Sequence, residues 1–218
     1  MSPLPVPAPR PRWAAILLAG GESKRFGGRP KATAPIEGIP AIVRMAGRAA
    51  DTGFDPILAV AGRHVAETRE VLATLGTPVV ENAIWDAGRT GSIQTGLASV
   101  GPVEGALVWP VDHPFVEAKC LATLRSVADG DPMGVWFVPT FEGRGGHPLL
   151  LRRPTFDPIA SLAPDAPLRS LVPRFGPQVR RVPVDDPGIL ENADDRTAFD
   201  SAQARWAARQ REGRWTGD

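Results

Sequence analysis

Cysteine is nearly missing from this chain of 218 residues. Cys120 is the one thiol, which excludes an internal disulfide framework and a cysteine-built zinc site and points to a reducing, cytoplasmic setting. Charge of one sign is missing too: 25 Lys and Arg stand against 24 Asp and Glu, a net charge of +1. Neither nucleic acid nor an anionic membrane is therefore indicated as a partner. No apolar run approaches the roughly 20 residues that span a bilayer. Met1 to Arg12 holds five prolines and no apolar h-region, so it reads as a disordered leader and not a signal peptide. Internal repeats, heptads, long low-complexity linkers and a Ser-His-Asp or Cys-His set are also missing. What remains has the length of one α/β domain with a sizeable core. It is expected over residues 13–205, with 206–218 as a helix end and a charged, frayed tail.

The chain is organised around Leu17 to Lys31, where a short apolar run meets a glycine-rich turn. Ala14 to Leu18 has the length and composition of a fully buried strand. Gly20, Gly21, Gly27 and Gly28 then allow tight turning and close approach to a ligand. Phosphate oxygens need converging backbone amides, so this reads as a phosphate-holding loop. Ser23 adds a hydroxyl, and Lys24, Arg25 and Lys31 add charge against a triphosphate. Neither the Walker pattern nor the dinucleotide fingerprint is written here.

Beyond the loop, strands and helices alternate. A helix is expected over Ile39–Thr52, a strand over Pro56–Ala61 and a helix over His64–Leu75. Strands follow at Pro78–Glu81 and Ala106–Pro110, with a helix from about Ser92 between them. Cys120 shares a helical stripe with Val116, Leu124 and Val127, which reads as buried packing. Further strands are expected at Gly134–Pro139 and Gln178–Val184, and a last helix presents Phe199, Ala202 and Trp206. The alternation implies an α/β fold with a mostly parallel sheet and ligand chemistry at the carboxyl ends of its strands.

Asp112 directly follows the Ala106–Pro110 strand, between Pro110 and Pro114. It reads either as a ligand for a divalent cation or as the N-cap of a helix over Phe115–Ala128. Gly88 to Leu97 places glycines and hydroxyls at a helix entrance, suited to an anion or ribose and also to simple capping by Ser92. Thr140 to Pro148 forms a glycine-rich link between two apolar runs, a hairpin or a crossover at the sheet's mouth. Arg169 falls in a short helical stretch, either over that mouth or simply solvated. Asp195 reads as the N-cap of the last helix.

Gly20-Gly21-x-Ser23-x-Arg25-x-Gly27-Gly28-x-x-Lys31 resembles the signature of nucleotidyltransferases that act on the molybdenum cofactor, a branch of the nucleotide-sugar-type pyrophosphorylases. The resemblance extends from Ala14 to about Ala202. It implies a single three-layer Rossmann-like domain of the glycosyltransferase A kind. It also implies a Mg²⁺-dependent transfer of a nucleoside monophosphate from a nucleoside triphosphate to the phosphate of molybdopterin or molybdenum cofactor, releasing pyrophosphate. A client molybdenum enzyme or its chaperone is a further partner it suggests.

Carried over onto this chain, Leu18, Ala19, Gly20, Gly21, Ser23, Arg25, Lys31, Gly91 and Ser92 would bind the nucleotide, with Arg25, Lys31 and Asp112 catalytic. Asp112 resembles the aspartate of the family's magnesium-binding Asp-x-Pro motif. Asn192 or Asp194 would be the second ligand, although Asp195-Arg196-Thr197-Ala198 replaces the Thr-Pro-Glu-Asp that usually follows. Arg144, Gly146, His147, Pro148 and Arg169 would meet the acceptor. Leu18-Ala19-Gly20-Gly21 resembles the guanylyltransferase branch. Gly91-Ser92-Ile93 and Gly146-His147-Pro148 resemble the cytidylyltransferase branch and span more of the chain, so CTP is favoured over GTP. The rivals are a nucleotidyltransferase for sugar or other small phosphates, and a nucleotide-binding protein that delivers cofactor without chemistry.

Overall fold

The computed structural model describes residues 12–215. The proline-rich stretch read as a leader lies outside them apart from Arg12, which pairs with Asp55 at 3.0 Å. The first strand, β1 (Trp13–Ala19), is buried at all seven positions. Its period of two sends Trp13, Ala15, Leu17 and Ala19 into one apolar cluster and Ala14, Ile16 and Leu18 into another. A strand covered on both faces has no polar face to show, which is why the run reads as continuously apolar.

Next come the short hairpin β2 (Pro35–Ile36) and β3 (Ile39–Pro40), then α1 (Ala41–Asp51), β4 (Ile57–Ala61), α2 (Val65–Leu72) and β5 (Val79–Glu81). The chain continues through α3 (Arg89–Ser99), β6 (Gly105–Pro110), α4 (Ala118–Gly130), β7 (Trp136–Phe141), β8 (Arg144–Gly145) and β9 (Leu149–Arg152). Short helices α5 (Phe156–Ala160) and α6 (Val172–Phe175), strand β10 (Val179–Pro183) and the long α7 (Arg196–Trp215) complete it.

The strand order is β10-β7-β9-β6-β1-β4-β5, with β8 pairing β7. The β1–β4, β1–β6, β4–β5 and β7–β10 pairs are parallel, and β9 and β8 run antiparallel to their neighbours. The sheet is mostly parallel, as expected, and the link expected over Thr140–Pro148 is a hairpin connection, with Thr140 and Phe141 ending β7 and Arg144–Gly145 forming β8 before β9 returns antiparallel. After β1 the chain builds β4 and β5 on one side and returns to the other side as β6. The carboxyl ends of β1 and β6 therefore form the switch point of the topology, where open α/β sheets leave a crevice.

Helices α1 and α4 cover one face of the sheet and α3, α5 and α6 the other. Gly96 lets α3 lie directly on β1, since a Cβ there would stand 2.5 Å from Ile16 Cγ2. A third cluster joins Phe26, Ile36 and Phe115 to Phe199, Ala202 and Trp206 of α7.

Several expected boundaries shift. The helix read from Ile39 begins at Ala41, because Ile39 and Pro40 close the hairpin through Glu37 and Gly38, both at positive φ. The helix read from Phe115 begins at Ala118 with Glu117 as N-cap, so Asp112 caps nothing. Val127 is exposed, and the buried stripe of α4 is Cys120, Leu121, Leu124 and Ala128. Trp206 is buried at 3 %, so the core continues past the boundary expected at residue 205, and α7 reaches Trp215, with 216–218 of the stretch read as frayed outside the described residues.

Candidate active site

The turn after β1 is held at both ends. Ser23 adopts a left-handed conformation with φ of 54°, and its Oγ accepts from the Lys31 amide at 3.2 Å. Between them Phe26 turns inward and meets Phe199 of α7 edge to face, with ring centroids 5.4 Å apart. Arg196 lies over both rings. This anchors the loop and leaves Lys24 and Arg25 exposed at its outer edge.

The loop forms one wall of a cleft of about 390 Å³ at the switch point, within the range of small-ligand sites. Leu18, Ala19, Gly20, Gly21, Ser23, Arg25, Lys31, Ser92, Asp112 and Asp194, all named from the sequence, line it. Ser92 is not the N-cap of α3. The helix begins three residues earlier, capped by Gly88, and Ser92 is buried inside it with its Oγ accepting from Asn82 Nδ2 at 3.0 Å. A Cβ at Gly20 would stand 2.7 Å from that same Oγ, so this glycine permits the close approach of loop and helix.

Asp112 is buried at the end of β6, and its carbonyl accepts from the Ala193 amide at 2.7 Å. That bond carries the segment before α7 to the strand end and sets Asp194 in the cleft, whereas Asn192 is exposed and outside it. Asp195 caps α7, accepting from the Ala198 amide at 2.8 Å. Each cleft acid faces a cation: Arg89 meets Asp112 Oδ2 at 3.1 Å and Lys31 meets Asp194 at 3.4 Å. Asp112 Oδ1 is buried with no hydrogen-bond partner.

Two carboxylates with one free buried oxygen suit a hard cation that takes its remaining ligands from phosphate and water. Among the described residues no group of three or more His, Cys, Asp or Glu is placed to hold a metal ion.

Behind Asp112, the rings of His113 and His147 are in contact, with centroids 4.9 Å apart and planes tilted by 48°. Burial is the main cause that keeps both imidazoles neutral, lowering His147 to about 4, with His113 and Arg89 adding to the effect there. In His113, burial outweighs the attraction of Asp112.

None of the residues expected to meet an acceptor lines the cleft. His147 reaches the back of the site through His113 and its amide donates to Ile189 O at 3.0 Å. Gly146 is a packing position, where a Cβ would stand 2.3 Å from Ile189 O, and Pro148 is buried. Arg144 is exposed on β8, and Arg169 is exposed in a single helical turn; neither lines the cleft. Gly91 is also off the cleft, its amide donated to Pro164 O at 3.2 Å. Burial pushes the Cys120 thiol up, which agrees with packing and against nucleophilic use.

Arg89, His64 and Trp85 line the cleft and were not singled out from the sequence. Arg89 lay in view inside the Gly88–Leu97 stretch. His64 follows the carboxyl end of β4, beside the same switch point, and its Nε2 lies 3.4 Å from Glu22 O of the loop.

A glycine loop after the first strand, Asp112 and Asp194 in one cleft and a crevice at the switch point are features shared with nucleotide-binding α/β folds. Residues 15–180 match the MobA-like NTP transferase domain, and the chain belongs to that family. A probable molybdenum cofactor guanylyltransferase from Natronomonas pharaonis is 28% identical over 137 residues, 57% of this chain and 63% of that protein. The chain thus matches less than two thirds of that relative's length. A molybdenum cofactor guanylyltransferase from Cupriavidus metallidurans is 28% identical over 159 residues, 72% of this chain and 71% of that protein. Among solved structures, a nucleotidyl transferase from Methanothermobacter has the same fold, with a TM-score of 0.76 at 21% identity over 90% of this chain and 98% of that one. Among the described residues no helix is long and apolar enough to cross a membrane.

Proposed function

We propose that the cleft transfers a nucleoside monophosphate from a triphosphate to the phosphate of molybdopterin or molybdenum cofactor, releasing pyrophosphate. The unpartnered, buried Oδ1 of Asp112, opposite the phosphate loop, is the observation that carries this reading. The amides of Gly20 and Gly21 and the side chains of Ser23, Arg25 and Lys31 hold the phosphates. An acceptor oxygen attacks the α-phosphorus in line while pyrophosphate leaves, a reaction that needs positioning and charge stabilisation and no protein nucleophile. Asp112 and Asp194 would hold Mg²⁺, which when bound supplies charge neutralisation for the phosphate oxygens.

CTP is the favoured donor on the strength of Gly91-Ser92-Ile93 and Gly146-His147-Pro148. Ser92 stands in the cleft wall, and His147 packs against the histidine next to Asp112. GTP is the second reading, favoured by the names of the relatives and by Leu18-Ala19-Gly20-Gly21. The test is pyrophosphate release with Mg²⁺ and molybdenum cofactor, offering CTP, GTP, ATP and UTP separately. Turnover with CTP or GTP alone, lost in Asp112→Ala, is the expected result. Turnover with a sugar phosphate as acceptor and none with molybdenum cofactor would overturn the acceptor assignment.

A further inference from the structure

Arg89 is a cleft residue with no part in the chemistry described so far. It opens α3 directly after Gly88, and its guanidinium meets Asp112 Oδ2 at 3.1 Å. Its side chain is 59 % exposed while that of Asp112 is 11 % exposed. The arginine therefore reaches in from the solvent side over a buried carboxylate, and it is able to swing away without leaving a hole in the core. On the same carboxylate, Oδ1 is buried without a hydrogen-bond partner, with His113 Nε2 3.8 Å away.

We infer that Arg89 is a triphosphate ligand that guards Asp112, leaving the carboxylate for the nucleotide's phosphates when a divalent cation takes Asp112. The inference rests on the nucleotidyl-transfer reading and deepens it. A guanidinium and a divalent cation repel each other and compete for one carboxylate. A polyphosphate relieves the competition by offering Arg89 a second anionic partner that its planar fork fits well. Metal and nucleotide binding are then coupled through this side chain, each favouring the other because each removes a cost of the other's entry.

The experiment measures Mn²⁺ binding by electron paramagnetic resonance without nucleotide, and then CTP and GTP binding with Mn²⁺ present, in the wild-type chain and in Arg89→Ala. Loss of the competitor should tighten Mn²⁺ binding about two- to fivefold, as expected for a largely exposed ion pair. Triphosphate binding should weaken about ten- to a hundredfold through loss of a charged ligand. Arg89→Lys, which keeps the charge without the fork, should fall between. A variant that had simply lost structure would weaken on both counts, so the opposite signs separate the two cases. Mn²⁺ binding that is unchanged or weaker in Arg89→Ala overturns the inference, as does unchanged triphosphate affinity. A wild-type chain that binds Mn²⁺ but neither triphosphate overturns the nucleotidyl-transfer reading itself, and the ligand role of Arg89 with it.

Discussion

The carbonyl of Asp112 and the amide of Ala193 are joined at 2.7 Å, far apart in sequence and adjacent in space. This bond sets Asp194, and not Asn192, in the cleft with Asp112. Asp112→Asn should lower pyrophosphate release by about two to three orders of magnitude, the loss seen when preorganised charge stabilisation is removed. Asp194→Asn should cost less, since its side chain is 40 % exposed, and Asn192→Ala should leave the rate unchanged. A loss at Asn192 with none at Asp194, read in the same assay, would reverse the assignment.

Gly20 and Ser92 are predicted to be energetically coupled. Gly20→Ala places a methyl 2.7 Å from Ser92 Oγ, which Asn82 holds in place, so the strain should cost about 1–3 kcal/mol. Adding Ser92→Ala should restore part of that stability, giving a coupling of at least about 0.5 kcal/mol in a double-mutant cycle by urea unfolding. Strictly additive effects would show that loop and helix do not touch as described.

The pH dependence of stability should contain two opposed contributions. Burial lowers His147 from 6.5 to about 4, so the unfolded chain binds more protons across that interval. Stability from this site is present above pH 6.5 and lost as the pH falls towards 4, by up to about 3 kcal/mol. Asp186 is raised by burial from 3.8 to about 6, so there the folded chain binds more protons and stability falls as pH rises across that window. His147→Gln should therefore flatten the rise in unfolding free energy between pH 4 and 6.5, and Asp186→Asn should steepen it. Identical slopes in both variants and the wild type would contradict the burial of both groups.

A chain ended after Arg205 should be strongly destabilised. Trp206 packs with Phe115 and beneath the guanidinium groups of Arg44 and Arg48, and its Nε1 donates to Glu117. Loss of so large a buried ring costs about 3–5 kcal/mol, before the rest of α7 is counted. Thermal melting of the shortened chain against Trp206→Ala and the full chain measures this. Equal melting of all three would place the domain boundary at 205 after all.

Much of the fold was legible because doubly buried parallel strands leave an unambiguous pattern. Ala14 to Leu18, Pro56 to Ala61 and Ala106 to Pro110 are apolar without interruption, and helices at the expected spacing separate them. Errors fell where a neighbour decided the local state. Ser92 looks like a helix cap because serine favours that position, but Gly88 caps α3 at its approach to Pro164, where a Cβ would stand 2.3 Å from Pro164 O. Gly146 reads as a ligand-side glycine, and close packing against the carbonyl of Ile189 is a second requirement for it that the sequence does not show.

The sequence by itself determined the α/β alternation, the glycine loop after β1 and the acid after β6, because each rests on local rules. A buried strand must be apolar, a turn that approaches phosphate needs glycine, and a strand end exposes the residue that follows it. Which of these residues meet was decided only by the tertiary structure. Lys31 and Asp194 are separated by 163 positions and Arg89 and Asp112 by 23, so no local pattern encodes either pair. The order β6-β1-β4 brings both pairs to the cleft and leaves Arg144 and Arg169 outside it. Strand order reflects how the whole chain buries its apolar surface, and it is that global packing that turns a set of suitable residues into one site.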